Sequence, residues 1–346
     1  MHTHIAAIPM KWIGPILLNG SEVSESVSVP LATFETPLWP STDRGAAICN
    51  KAGGITVSIL GDCMSRSILV EAKTALEAAT AFQDLLVSKA EIKKVVESTS
   101  RHIQFLNTHQ EQIGNLLYVR LEMQTDDASG HNMVTKAADQ VLAWICKKYP
   151  YLSYVSISAN ICTDKKVSAI NGIRGRGKSV VADVLLPRKL VERYLKSTPE
   201  EIVELNIKKN LIGSILAGSV RSANAHFANM LLALYLATGQ DAANIIEGSQ
   251  GIVYAKVQNG DLYFSVSLPN IIVGTVGSGK HIDFVRENLQ KMGCLEERAP
   301  GQNARRLAAI AAACVLCGEL SLLAAQTNPG ELVATHMELE RNRGSV

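Results

Sequence analysis

The sequence predicts an α+β protein: a large mixed domain around a central helix, with an inserted ferredoxin-like βαββαβ small domain. Three observations carry this reading. The 346 residues exceed one ordinary compact domain and suggest two. Residues 66–158 parse as strand, helix, strand, strand, helix, strand, the order of a four-stranded antiparallel unit with both helices on one face. Residues 304–325 are the most apolar stretch and read as a core helix. The expected division is 1–66 for the first part of the large domain, 67–157 for the small domain and 158–346 for the remainder.

The elements follow in order. "RSILVE" (66–71) reads as a strand, "TALEAATAFQDLLVSK" (74–89) as an amphipathic helix and "HIQFLN" (102–107) as a second strand. "LLYVRLEM" alternates, with Leu117, Val119, Leu121 and Met123 on one face and Tyr118, Arg120 and Glu122 on the other, which predicts a half-buried strand. Residues 131–148 place Val134, Ala138, Val141, Leu142 and Ile145 at helical spacing, and "YLSYVSIS" (151–158) closes the unit. In the large domain, helices are expected over 187–206, 209–237 and 303–327. A hairpin of 251–257 with 262–268 should turn at the Asn-Gly of "NGD".

Composition narrows the function classes. Apolar residues make up 47% and charged residues 19%, a globular balance. Net charge is +2, so no global field draws the chain to nucleic acid or to an acidic membrane. Seven scattered cysteines carry no disulfide-framework spacing and fit a reducing cytoplasm. Cys314 and Cys317 form a C-x-x-C inside the apolar helix with no second ligand pair, and His2 and His4 sit at a terminus, so no metal is expected. The first twenty residues lack a basic region followed by a long apolar run, so neither signal peptide nor membrane anchor is expected there. In the apolar helix, Arg305, Arg306 and Glu319 shorten the uncharged run.

"GIRGRGKS", Gly172 to Ser179, satisfies the phosphate-loop pattern G-x-x-x-x-G-K-[ST]. Such a loop should leave a buried strand and open a helix. Its approach, "CTDKKVSAIN", carries Asp164, Lys165 and Lys166, which interrupt any buried parallel strand, and a basic loop serving another purpose is the better reading.

Those lysines belong to "SANICTDKKVSAINGIRGRGKSV", which resembles hydroxymethylglutaryl-CoA reductase. The resemblance runs nearly end to end through "PLATFETPL", "DCMSR", "STSRH", "DDASGHNMVTK", "KKNLIGSILAGS", "NAHFANM", "TGQDAANIIEGS", "LPNIIVGTVGSG", "PGQNARRLA", "CGELSLLAA" and "LVATHM". It implies a class I-like reductase that takes an acyl-CoA thioester through a hemithioacetal and an aldehyde to mevalonate with two hydrides. NADPH and HMG-CoA are then the expected ligands, bound by a homodimer or homotetramer with active sites between subunits.

By the same resemblance Lys165 stabilises the oxyanion, Glu35 and Asp241 stand beside it as proton-handling carboxylates, and His336 protonates the leaving thiolate. Arg66, Ser158, Asn160, Asp164, Lys166, Lys209 and Asn229 would hold the substrate carboxylate and hydroxyl, and Arg44 and Lys196 the CoA phosphates. The dinucleotide would lie along Asp127, Ala128, Ser129, Gly130 and Asn132 and along Val276 and Gly277. Ser100 and Arg101 would meet its adenosine ribose, where an Arg favours a 2′-phosphate. The chain departs from the family where the usual "DAMGMN" reads "DASGHN", paired glycines read Arg221-Ser222-Ala223, and "GGGT" reads "GSGK". The alternatives are a reductase of another branched acyl-CoA and a non-catalytic CoA-binding homologue.

Overall fold

The structure, a computed structural model, describes residues 6–337; the side chains of Thr335 and His336 lie outside that description. The chain opens with β1 (Met10–Gly20), β2 (Ser26–Ala32), α1 (Leu38–Lys51) and β3 (Ile55–Glu71). A middle stretch holds α2 (Ala75–Val87), α3 (Lys89–Glu97), β4 (Gln104–Ile113), β5 (Leu116–Gln124), α4 (His131–Lys148) and β6 (Ser153–Ser156). After α5 (Ala169–Arg174) and β7 (Gly177–Leu186), a helical run comprises α6 (Arg188–Leu190), α7 (Pro199–Leu205) and α8 (Ser214–Leu216), with π-turns over Val191–Leu195 and Asn206–Gly213. Then come α9 (Phe227–Ala237), α10 (Ile245–Gly248), β8 (Ile252–Gln258), β9 (Asp261–Ile271), α11 (Asp283–Lys291), α12 (Gln302–Thr327) and α13 (Glu331–His336).

The result is a mixed α+β architecture. The main sheet runs β2-β1-β3-β7-β9-β8, with β1 and β3 parallel and the other neighbours antiparallel. β3 is the hinge between two sets of partners: residues 55–63 pair with β1 and β7, and residues 64–71 pair with β5 and β6. β4 continues from β5, giving β4-β5-β3-β6, all antiparallel, over a second hydrophobic cluster that includes Ile68, Leu85, Leu121 and Val141. The division expected after residue 66 therefore falls inside one continuous strand.

Several elements follow from local chemistry. Thr74 and Glu77 make a reciprocal capping box at the head of α2, as Thr198 and Glu201 do at α7. The Asn-Gly turn forms as expected: Asn259 and Gly260 both take positive φ between β8 and β9. Helix α12 is the central core helix, and 94% of its most apolar window is buried inside the fold. By length and composition it is the single helix among the described residues that could cross a membrane. Helix α1 crosses it closely at Gly45, where a Cβ would stand 2.0 Å from the Cys317 carbonyl oxygen.

Four expectations are corrected. The helix expected over 209–237 is interrupted between 216 and 227, where Gly218 and Arg221 take positive φ, and the one expected over 187–206 breaks at Lys196 (φ 52°) before Pro199. The helix expected over 74–89 stops at Val87, and a separate α3 follows it. Strand β5 is buried on both faces. Arg120 (0% exposed) donates to Glu122, to the Ile161 carbonyl (3.0 Å) and to the Gly175 carbonyl (2.8 Å), because the 161–175 segment covers the face that alternation assigned to solvent.

Candidate active site

The segment after β6 is bent by three non-glycine residues in the left-handed region, Asn160 (φ 61°), Thr163 (φ 47°) and Lys165 (φ 55°). Such backbone persists only where its surroundings hold it. The amide of Cys162 donates to Ser67 Oγ (3.1 Å), Asn171 Nδ2 to the Thr163 carbonyl (3.2 Å), and the amide of Lys165 to Glu247 Oε1 (3.1 Å). The turn delivers Lys165 Nζ to 2.7 Å from Asp241 Oδ2. Asp241 is itself fixed as the cap of the following turn, accepting from the Ala243 amide at 3.1 Å. Its hydrogen bond raises the pKa of the Lys165 ammonium further. Burial raises the pKa of the Asp241 carboxyl, but the Lys165 contact and the Ala243 amide override that rise and hold the group below its ordinary value. The pair is an ammonium on a carboxylate.

Beneath this turn lies a buried clamp. Arg176 (1% exposed) donates from Nη1 to Glu247 Oε1 at 2.8 Å, and its Nη2 lies 3.0 Å from Asp164 Oδ1. Glu247 is fully buried and also accepts from Asn244 Nδ2 (3.0 Å). Burial raises its pKa and the Arg176 guanidinium opposes that rise. Asp164 further meets Arg66 Nη1 at 3.6 Å and His131 Nε2 at 3.7 Å. The His131 imidazole is held below its usual pKa by burial and by Arg176. Arg176 is the second arginine of "GIRGRGKS", which runs from helix α5 into strand β7, the reverse of a phosphate loop. Lys178 is buried against Asp62 (3.1 Å) on β3.

Lys165, Asp241, Arg66 and Asp164 line a cavity of about 720 Å³ whose other walls are Ala128–Met133 and Val276–Lys280. A second chamber of about 380 Å³, with Ser100, His102, Asp126, Asp127 and Arg298, shares Ala128, Met133 and Val276 with the first, so the two form one elongated groove. The two glycine-containing segments meet directly. Ala128 bridges Val276, the Thr275 amide donates to the Asp127 carbonyl (2.8 Å), and a Cβ on Gly274 would stand 2.3 Å from the Ser129 nitrogen. Gly130 (φ 91°) heads α4, and Asn132 is exposed in that helix's first turn. Asp127 Oδ1 accepts the Ala304 amide (2.8 Å) at the head of α12. Arg101 is exposed beside His102 and lines neither chamber, while Ser100 Oγ accepts the His102 amide (3.1 Å).

The other expected residues lie elsewhere. Glu35 accepts from Asn229 Nδ2 (2.7 Å), and both line a cavity of about 500 Å³ with Arg44, His226, Leu322 and Glu331. Arg44 donates to the Ser321 carbonyl (2.7 Å) and pairs with Glu331 (2.6 Å). Lys209 donates to Asn210 Oδ1 (3.0 Å); burial lowers its pKa, against the pull of Glu319. Lys196 is exposed at the helix break. Lys166 Nζ reaches the Asp164 carbonyl (3.0 Å), the Ser158 amide donates to Ser156 Oγ (3.0 Å), and the exposed Asn160 turns the chain into the Lys165 segment. The Glu35 and Lys165 cavities share no lining residue, and among the described residues no hydrogen bond or ion pair joins Glu35 to Lys165 or Asp241. The His336 side chain lies outside the described residues.

Arg176, Glu247, His131, Lys280 and Glu319 entered the site without being expected from the sequence. Arg176 sat within the phosphate-loop pattern and Glu247 within "NIIEGS", but burial, the property that marks them, has no local signature. Glu319, fully buried in the middle of α12, accepts the amides of Ala225 (2.9 Å) and His226 (2.6 Å) and so fixes the wall that carries Asn229.

A family model of hydroxymethylglutaryl-coenzyme A reductase matches residues 4–341. A 3-hydroxy-3-methylglutaryl-coenzyme A reductase of Pyrococcus horikoshii is 43% identical over 326 residues, 93% of this chain and 78% of its own. The enzyme of the same name from Methanocaldococcus jannaschii is 41% identical over 339 residues, 96% of this chain and 82% of its own. Among solved structures, the class II reductase of Streptococcus pneumoniae bound to NADPH superposes with a TM-score of 0.74 at 18% identity, covering 94% of this chain and 86% of that one. The chain is thus an oxidoreductase, on a fold shared with those solved enzymes. It belongs to the hydroxymethylglutaryl-coenzyme A reductase family.

Proposed function

We propose that the protein reduces 3-hydroxy-3-methylglutaryl-CoA with two NADPH to mevalonate and free CoA, a step of isoprenoid synthesis. The observation that carries this reading is the Lys165–Asp241 pair at one end of an elongated groove walled by "DASGHN" and "VGSG". The groove's outline fits a dinucleotide: two joined chambers, a basic Arg298 in the far one, and at Gly277 (φ 98°) open space where a side chain would otherwise project. When bound, the nicotinamide cofactor supplies hydride to the acyl carbon and then to the aldehyde carbon.

The chain's own residues do the rest. Lys165 holds the oxygen that becomes anionic at each reduction, with Asp241 keeping the ammonium charged and aimed. Glu35 delivers protons, and His336 protonates the departing CoA thiolate before it adds back to the aldehyde. Arg66, Lys166, Lys209, Ser158, Asn160, Asp164 and Asn229 grip the substrate's carboxylate and hydroxyl, while Arg44 and Lys196 face the CoA phosphates. Ser100 and Arg101 attend the adenosine ribose and its 2′-phosphate. The β4-β5-β3-β6 unit is read as a ferredoxin-like domain that presents the cofactor. Because Glu35 and Lys165 open into separate cavities of one chain, the reading includes a second copy that completes the site, in a homodimer or larger assembly.

Purified protein is expected to oxidise two NADPH for each mevalonate formed from the thioester. One NADPH per turnover with free aldehyde accumulating would defeat the two-step scheme. His336→Gln is expected to lose about 10²–10⁴ in thioester reduction while keeping most activity on free mevaldehyde, since only the thioester releases a thiolate. Equal loss on both substrates would remove His336 from that role.

A further inference from the structure

Three cations line the main chamber: Arg66, Lys165 and Lys280. The first two stand on carboxylates, Arg66 on Asp164 (3.6 Å) and Lys165 on Asp241 (2.7 Å). Lys280 does not. Among the described residues its ammonium meets no carboxylate and donates only to the Gly239 carbonyl. Its position is fixed by the turn that carries it: Gly277 and Gly279 both take positive φ (98° and 83°), and at Gly279 a Cβ would stand 2.8 Å from that same Gly239 oxygen. A half-buried ammonium held by a neutral carbonyl is under-compensated, and its partial burial depresses its pKa to about 8. The family pattern quoted above has Thr at this position, so the cation belongs to this chain's own departure from it.

The geometry points to Lys280 as a binding residue for the diphosphate of a dinucleotide, its ammonium exchanging the Gly239 carbonyl for a phosphate oxygen. This rests on the dinucleotide reading of the groove. Among groups that could occupy the chamber, a diphosphate offers only acceptors and full negative charge, and supplies what Lys280 lacks. The carboxylates already in the chamber are engaged: Asp241 by Lys165, and Asp164 by Arg66 and Arg176.

A proton is therefore linked to binding. Three other groups of the chamber stay fixed between about pH 7 and 9.5: His131 is held below its ordinary pKa, Lys165 above it, and Asp241 below it. Lys280 does change charge there, protonated below about 8 and neutral above it. Occupation by phosphate demands the proton, so affinity should fall as pH rises through that value.

The test measures NADPH binding by fluorescence at about pH 7 and about pH 9.5 in the wild type, Lys280→Met and Lys280→Arg. Adenosine 2′-monophosphate, which has no diphosphate, serves as the control ligand. The wild type is expected to bind NADPH about sevenfold more weakly at the higher pH, the ratio that a free pKa near 8 gives when the neutral form binds about tenfold more weakly than the protonated one. Lys280→Met should be about tenfold weaker at pH 7 and flat with pH, and Lys280→Arg should keep the affinity and lose the pH dependence. The control ligand should be indifferent to both substitutions. If Lys280→Met binds NADPH with wild-type affinity and wild-type pH dependence, Lys280 is not the binding group and the cofactor reading stands. If adenosine 2′-monophosphate shares the Lys280 effect, the diphosphate assignment is overturned. If the wild type binds no NADPH at either pH, the cofactor reading itself fails, and with it this one.

Discussion

Lys165→Ala is expected to lower kcat by about 10²–10³ on the thioester and on the free aldehyde alike, because the proposed scheme passes through an oxyanion at both reductions and Lys165 is the donor aimed at it. The loss should appear without a fall in thermal stability. The Lys165–Asp241 pair is more than a third exposed on each side, and surface pairs contribute little to folding. Removing the lysine also frees Asp241, whose carboxyl should rise from its depressed value. Retention of full activity on the aldehyde with loss only on the thioester would assign Lys165 to substrate capture instead.

Glu247→Ala should destabilise the fold by about 3–5 kcal/mol, the range for removing one partner of a buried ion pair, since Arg176 would remain buried with Asp164 as its only counter-charge. Chemical denaturation reads this directly, and a change below about 1 kcal/mol would mean that solvent reaches the clamp. Activity should fall as well, because Glu247 accepts the Lys165 amide that holds that residue in the left-handed region. Glu247→Gln separates the two effects. It keeps an oxygen for the amide but removes a charge that helps raise the Lys165 pKa, so the alkaline limb of the kcat profile should move to lower pH. An unchanged limb would leave Glu247 with a packing role only.

The middle of the chain was the most legible part. The alternation in β5 and the helical spacing in α4 report side-chain direction through the backbone's own periods, and the buried faces appear where those periods put them. The other face of β5 was not legible. Arg120 looks like a solvent residue until the carbonyls of Ile161 and Gly175, 41 and 55 residues away in sequence, accept from its guanidinium, and Glu122 is buried beside it. The long helix expected over 209–237 failed for a related reason, since its break at 217–226 serves Glu319 of α12, which takes up the amides of Ala225 and His226. Among site residues, the motifs brought Lys165, Asp241, Arg66 and Asp164 to one cavity, and Glu35, Asn229 and Arg44 to another.

By itself the sequence determined the α+β class, the Asn259-Gly260 hairpin, the apolar central helix and, through its motifs, the family. Each of these depends on a residue's own conformational preference or on neighbours a few positions away. Only the tertiary structure decided that the Lys165 turn is left-handed, that Arg176 and Glu247 are buried beneath it, and that Lys280 reaches the groove with no carboxylate partner among the described residues. The Lys165–Glu247 contact joins residues 82 apart. A polar side chain's burial and partner are set by which distant segments pack over it, and no local pattern encodes that choice.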